Sequence, residues 1–338
     1  MSKEPVSHHY LPQFYLKSFA FEFTKKKKLY RVYSYDKEFH RVVIPKTTKE
    51  ICCERHRNTL DMLGEKDFFI EKSFSELESI MSEFFKVTTS YCNKLEEIKK
   101  RKLKIRDKDK LKETRYLCSL DKLMDEPYYF RLFNYFISVF YWRLTIHDGY
   151  FELNTTESYL SESISSFLQK SNQIEIIDFN LVPEFLNEIK HDIYLPFVFG
   201  EEKNLMKVYK SLIFPLSGVY INKKKYHKLC QVYLPEQIIV SSDAPFITSG
   251  RGVSLEQEFI FTWSPNLAYI NFNYQAQLKI TNVADWAFKL SVLNYLQAKR
   301  FVFCNDKPTL ENVINYANLR YGNQGLSDLK KELWALME

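Results

Sequence analysis

A change of hydrophobic period partway along the chain does most to limit what it can fold into. From about residue 68 to 99, Ile70, Phe74, Leu77, Met81, Phe84 and Phe85 recur at spacings of three and four. That spacing predicts one long amphipathic helix. From Tyr226 onward the segments 229–234, 237–241, 259–262, 268–272 and 277–280 read instead as strands. Helical patterns fill the region between, near 111–124, 126–149, 156–170, 182–195 and 201–213, and return near 283–301, 308–320 and 326–337. Before the long helix, residues 29–35 alternate as a half-buried strand. Asp36-Lys37-Glu38 makes a turn, 39–44 return, and Pro45 is expected to close the hairpin. The order is hairpin, helical middle, sheet, helical end. This is an α+β chain and not a βαβ repeat. We expect an N-terminal β-hairpin, a mainly helical middle and a C-terminal mixed or antiparallel sheet covered by helices. One elaborated domain over 1–338 is expected, with sub-regions 1–65, 66–215 and 226–338.

Composition narrows the class. A chain of 338 residues with 45% hydrophobic and 27% charged residues has an ordinary globular make-up. Its 28 Phe and 23 Tyr suit both cores and stacking surfaces. The net charge of +6 is local: between Lys99 and Arg115 ten basic residues meet three acidic ones, a charge of +7 that leaves the rest near −1. Such a run follows a phosphate backbone or makes a solvated helix end. Six cysteines include the vicinal Cys52-Cys53 but no CxxC, and the first ten residues carry no apolar leader segment. Reduced thiols in a cytoplasmic protein are therefore expected. The longest apolar run, 132–142, contains Asn134 and lies between Arg131 and Arg143. It is too short to span a bilayer, so no membrane partner is expected. GxxxxGK[ST], GxGxxG, HExxH and GxSxG are all absent.

Three separated segments supply candidate chemistry. The first is His8-His9-Tyr10, followed by Pro12 at the start of an apolar turn. Imidazole ligates metals and carries protons near neutral pH. The second is the face of the long helix that holds Glu71 and Glu78, seven residues apart. The third is Ile239-Val240-Ser241-Ser242-Asp243-Ala244-Pro245-Phe246, where an apolar strand ends in Ser-Asp before a rigid proline. An aspartate there is a ligating group or simply a good Asx-turn.

Taken together, HHYLPQFYL near the start, IEKSFSELES, Arg143 after an apolar helix, IVSSDAPF, FTWSP and LNYLQAKRFVF resemble the bacterial domain-of-unknown-function family 4238. The resemblance runs over roughly residues 7–304. Its pattern falls on His8, His9, Tyr10, Pro12, Phe14 and Leu16, on Ser242, Asp243 and Pro245, and on Asn294, Ala298 and Arg300. Ala244 stands where the family usually carries Asn, so any contact made by that Asn is missing here.

One imidazole and two carboxylates suffice to hold a divalent cation, Mg²⁺ or Mn²⁺, which polarises phosphoryl oxygens. We therefore expect His9, Asp243 and Glu78 as metal ligands, with His8, Ser242 and Arg143 completing a catalytic set. Binding is expected from Tyr10, Gln13, Asn294, Arg300 and the basic run, Lys99, Lys100, Arg101, Lys102, Lys104 and Arg106. The corresponding function is a metal-dependent nuclease or phosphodiesterase acting on nucleic acid, of a toxin or phage-defence type, with a partner protein encoded nearby. Gln277-Leu278-Lys279 after a strand adds slight support, because restriction-type nucleases carry a similar element. The alternative is a non-enzymatic module that binds nucleic acid or protein, with the His and Asp motifs forming a structural network.

Overall fold

The computed structural model describes residues 7–24, 29–39, 41–102, 117–154, 158–160, 162–163, 202–216, 228–234, 238–249, 253, 257–272, 280–321 and 325–337. Its strands are β1 (Ser7–His9), β2 (Glu22–Thr24), β3 (Leu29–Asp36), β4 (Val43–Thr47), β5 (Cys53–Arg55), β6 (Leu60–Met62), β7 (Glu65–Asp67), β8 (Leu117–Ser119), β9 (Lys228–Tyr233), β10 (Ser241–Ser242), β11 (Phe246–Thr248), β12 (Phe259–Ser264), β13 (Leu267–Phe272) and β14 (Phe301–Cys304). Its helices are α1 (Gln13–Ser18), α2 (Phe69–Lys102), α3 (Asp121–Met124), α4 (Pro127–Trp142), α5 (Asp148–Asn154), α6 (Glu202–Val208), α7 (Val283–Gln297), α8 (Lys307–Arg320) and α9 (Leu326–Ala335). The fold is mixed α+β with antiparallel sheets. Two compact units divide it, each built from three stretches of chain.

The first unit comprises Met1–Tyr10, Cys53–Phe85 and Leu123–Asn222. Its core is the first half of α2 against α4. The three-and-four spacing puts Ile70, Phe74, Leu77, Met81, Phe84 and Phe85 on one buried stripe of α2. Phe84 meets Phe133 with ring centroids 5.7 Å apart, and Phe85 meets Phe136 at 5.6 Å. Pro127 opens α4 at its first position, where the missing N–H costs nothing. β1 pairs antiparallel with β5, and β6 with β7 through a turn at Leu63 and Gly64, both with positive φ. After α6 the chain runs through a π turn (Tyr209–Ile213) in which the Phe214 N–H reaches back to the Tyr209 carbonyl. Pro215 follows and has no N–H to continue a regular ladder.

The second unit comprises Leu11–Cys52, Lys86–Lys122 and Lys223–Glu338. One sheet has the order β11-β12-β13-β9-β8; the other runs β10-β14-β3-β2, with β4 also paired to β3. The core lies between sheet residues such as Val232, Ile260 and Ile270 and the buried faces of α7, α8 and α9, including Trp286, Leu290, Val313 and Leu333. α1 lies on β12: Ser18 Oγ donates to the Trp263 carbonyl at 3.0 Å, and Phe14 meets Trp263 at 5.5 Å.

Several elements differ from the sequence expectation. Pro45 does not close the hairpin but sits inside β4, opposite Tyr33. The Thr48 N–H bonds the Tyr30 carbonyl, so alternate residues of β4 turn their backbone toward β3, and Pro45 is one that turns away. Residues 117–119 form a strand on β9 where a helix was expected, leaving only the short α3. The helix expected to reach 149 stops at Trp142, and a 3₁₀ turn (Thr145–His147) separates it from α5. The helix expected to reach 301 stops at Gln297, and Phe301–Cys304 become the strand β14. The strand expected over 237–241 is paired only at Ser241–Ser242. The segment 277–279, the helix 182–195 and most of 156–170 lie outside the described residues.

Because Phe133 is fully buried where α2 meets α4, Phe133→Ala should destabilise the protein by about 3–5 kcal/mol. Urea unfolding monitored by circular dichroism measures this; a drop below about 1 kcal/mol would show that the packing there contributes little.

Candidate functional site

Each unit contains a polar cluster, and the expected site residues divide between them. In the first unit, His8 is fully buried on β1. Its Nδ1 accepts the Asn58 N–H at 3.0 Å, while Nε2 lies 3.4 Å from Thr59 Oγ1. A nitrogen that accepts an N–H carries no proton, so the ring is neutral imidazole with its hydrogen on Nε2. The 3.7 Å approach of Nδ1 to Glu71 is therefore not an ion pair. Asn58 Nδ2 donates to Glu71 at 2.8 Å, which closes the loop 56–59 over the histidine. His9 is half-buried and pairs with Cys53 across the β1–β5 ribbon.

Arg143 is buried at the end of α4. It donates from both terminal nitrogens to Glu78 Oε1, at 3.0 and 2.9 Å, and from Nε to the Tyr10 carbonyl at 3.0 Å. Its guanidinium lies 4.9 Å from the Phe74 ring centroid. Nearby, Arg57 holds Asp148 through two bonds, at 3.1 and 2.7 Å, and donates to the Arg143 carbonyl at 3.2 Å. Lys210 bonds the same Asp148 carboxylate. The N-terminal ribbon is thus joined to α2, α4 and α5 by charged hydrogen bonds.

In the second unit, Asp243 is fully buried just after β10. Its Oδ1 accepts the Lys299 N–H at 2.9 Å, and its Oδ2 accepts those of Arg300 and Phe301 at 2.8 and 3.0 Å. Three consecutive N–H groups form a concave anion seat, here filled by a side chain of the same protein. The Asp243 N–H returns a bond to the Phe301 carbonyl at 2.9 Å. Lys37 Nζ donates to the Tyr295 and Ala298 carbonyls at 2.8 and 2.9 Å, capping α7 at the negative end of its dipole. Burial pushes the Asp243 carboxyl up to about 6, against the three N–H bonds and the Lys37 charge, which favour the anion. Arg300 reaches back to Asp36 from Nε and a terminal nitrogen, at 3.1 and 2.9 Å. The Asx-turn expected for Asp243 is made instead by Ser242, whose Oγ accepts the Ala244 N–H at 3.1 Å.

Ser291, Asn294 and Gln297 extend this joint along one face of α7, three residues apart. Ser291 Oγ accepts the Val240 N–H at 3.0 Å. Asn294 donates to the Val240 carbonyl and to Thr262 Oγ1, at 2.8 and 2.9 Å. Gln297 bonds the Ala244 carbonyl and donates to that of Phe246 at 3.1 Å. Tyr15 of α1 adds bonds to Ser241 Oγ at 2.6 Å and the Thr262 carbonyl at 2.9 Å. Sequence reasoning singled out Asn294 and missed Ser291, Gln297, Tyr15 and Lys37. The three-residue polar spacing in an otherwise apolar helix was the available signal.

Of the expected ligands, His9 and Glu78 belong to the first unit and Asp243 to the second. Glu78 is engaged by Arg143, and both oxygens of Asp243 accept N–H groups. Among the described residues no three His, Cys, Asp or Glu side chains are grouped to hold a metal ion. Gln13 exchanges two hydrogen bonds with Thr48, at 2.8 and 3.2 Å, inside the second unit. Lys99, Lys100, Arg101 and Lys102 fall at the end of α2, while Lys104 and Arg106 lie outside the described residues. No helix among the described residues is long and apolar enough to cross a membrane.

Two outcomes follow from this bonding. Arg143→Ala should cost about 2–4 kcal/mol, because it strands a half-buried carboxylate and the Tyr10 carbonyl. Asp243→Asn should cost about 1–3 kcal/mol, since an amide NH₂ cannot accept the N–H it would face. The folded Asp243 holds its proton to higher pH than the ordinary 3.8 allows. Its own contribution is therefore fullest below pH 3.8 and fades as pH rises through about 6. The stability gap between wild type and Asp243→Asn should narrow over that window in denaturant titrations; a widening gap would put the folded value below the ordinary one.

No curated protein and no solved structure matches the chain. One family model does, that described as a protein of unknown function, DUF4238, over residues 7–119. The match takes in His8, His9, Tyr10, Gln13, Glu71 and Glu78, while Arg143, Asp243, Asn294 and Arg300 lie beyond it. The match thus runs from the paired imidazoles through the basic run and covers about a third of the chain.

Proposed function

We propose that this protein is a non-enzymatic module that binds nucleic acid through the basic run 99–115, and that its His and Asp motifs serve as architecture. The observation that carries this reading is the engagement of the two carboxylates expected to do chemistry. Asp243 accepts three backbone N–H groups, and Glu78 accepts both terminal nitrogens of Arg143. A metal or a scissile phosphate would have to displace those donors, leaving buried N–H groups without acceptors at a cost of about 1–3 kcal/mol each. The remaining uneven feature is charge: +7 in seventeen consecutive positions of a chain whose total is +6. Phosphate binding by such a run releases condensed counterions, which provides affinity without base chemistry.

The test is binding of the full chain to labelled single- and double-stranded nucleic acids across a salt series. Reversing Lys99, Lys100, Arg101 and Lys102 to Glu should weaken binding at least tenfold. It should also flatten the slope of log K against log salt by about 0.9 for each duplex phosphate that is no longer neutralised. Unchanged affinity and slope would overturn the reading. Cleavage in Mg²⁺ or Mn²⁺ that disappears in both His9→Ala and Asp243→Ala would replace it with a metal-dependent phosphodiesterase.

A further inference from the structure

The β2–β3 hairpin carries an aromatic surface that neither polar cluster uses. Phe23 and Tyr30 face each other across the ribbon and stack at 4.5 Å between ring centroids. Phe21 and Tyr33 stack at 4.2 Å, nearly parallel. Both phenylalanines are solvent-exposed, Phe21 by 37% and Phe23 by 44%. The second stack comes from a local irregularity. The register pairs Glu22 with Arg31, yet the Phe21 N–H also bonds the Arg31 carbonyl at 2.9 Å, so two residues oppose one. Such a bulge turns Phe21 onto the face that holds Tyr33. Each face of the ribbon thus presents one aromatic stack.

Positive charge accompanies the rings. Lys17 Nζ stands 5.3 Å above the Tyr30 ring, and Arg31 is exposed, with Glu22 3.9 Å from its Nε. Aromatic faces beside cations suit one occupant best, a single nucleic-acid strand, whose bases stack while its phosphates meet the charges.

We propose that the β2–β3 hairpin is a base-stacking surface for single-stranded nucleic acid, with Phe21 and Phe23 as the rings that meet the bases. The inference rests on the nucleic-acid reading above and adds the strand form and the point at which bases are held. The test compares the full-length protein with its Phe21→Leu/Phe23→Leu double variant, which keeps apolar bulk and removes the rings. The probes are a labelled single-stranded oligothymidylate and a length-matched abasic strand.

The expected result is affinity for oligothymidylate reduced about tenfold with abasic binding unchanged, the abasic arm doubling as a check on folding. Equal oligothymidylate binding by both proteins would overturn the hairpin site and leave the basic run intact. An equal reduction on both strands would also overturn it, because the rings would then serve the fold. If the wild type binds neither strand, the nucleic-acid reading falls and takes the hairpin site with it.

Discussion

A buried carboxylate can persist only if something inside the protein replaces the water it has lost. Asp243 meets that requirement with the N–H groups of three successive residues, 56 to 58 positions further along the chain. Much of the second unit follows from this. The N–H groups of 299–301 are taken by the carboxylate and so cannot continue α7, and Lys37 takes the carbonyls that a longer helix would use. The helix stops, the chain turns, and Phe301–Cys304 lies down between β10 and β3. Arg300, projecting from the same turn, ties the hairpin residue Asp36 to it.

The first unit solves a comparable problem with different chemistry. His8 is buried as a neutral ring that accepts one bond and offers another, whereas Arg143 is buried as a cation and needs Glu78, the Tyr10 carbonyl and the Phe74 ring. Partial exposure of Glu78 softens the desolvation of that pair. The HHYLPQFYL motif falls across the division between the units. Its imidazoles and tyrosine belong to the first, while its Pro-Gln-Phe-Tyr-Leu turn packs on β12 of the second through Phe14 and Tyr15. The motif thus contributes side chains to both units.

That distribution shapes the functional reading. Groups with good catalytic chemistry in isolation are here committed to holding turns and helix ends. The nucleic-acid reading rests instead on the basic run after α2 and the exposed rings of the β2–β3 hairpin. Charge for phosphates and flat rings for bases are the two ingredients of sequence-tolerant strand binding.

What the amino-acid sequence determined by itself was local. The three-and-four spacing over Phe69–Lys102 specified α2 almost to its ends, alternation specified β3, and short apolar runs specified β9, β12 and β13, because these patterns arise from the geometry of one element. Pro127 marked a helix start for the same reason. Only the tertiary structure decided that Phe301–Cys304 is a strand: four apolar residues after a helix fit either form, and the choice lay with Asp243 and β3. It alone placed Leu117–Ser119 on β9 and Pro45 on a sheet edge. Nor could sequence reveal the partners of the candidate site residues. A carboxylate's role depends on which donors surround it, and those of Asp243 and Glu78 come from residues more than fifty positions away.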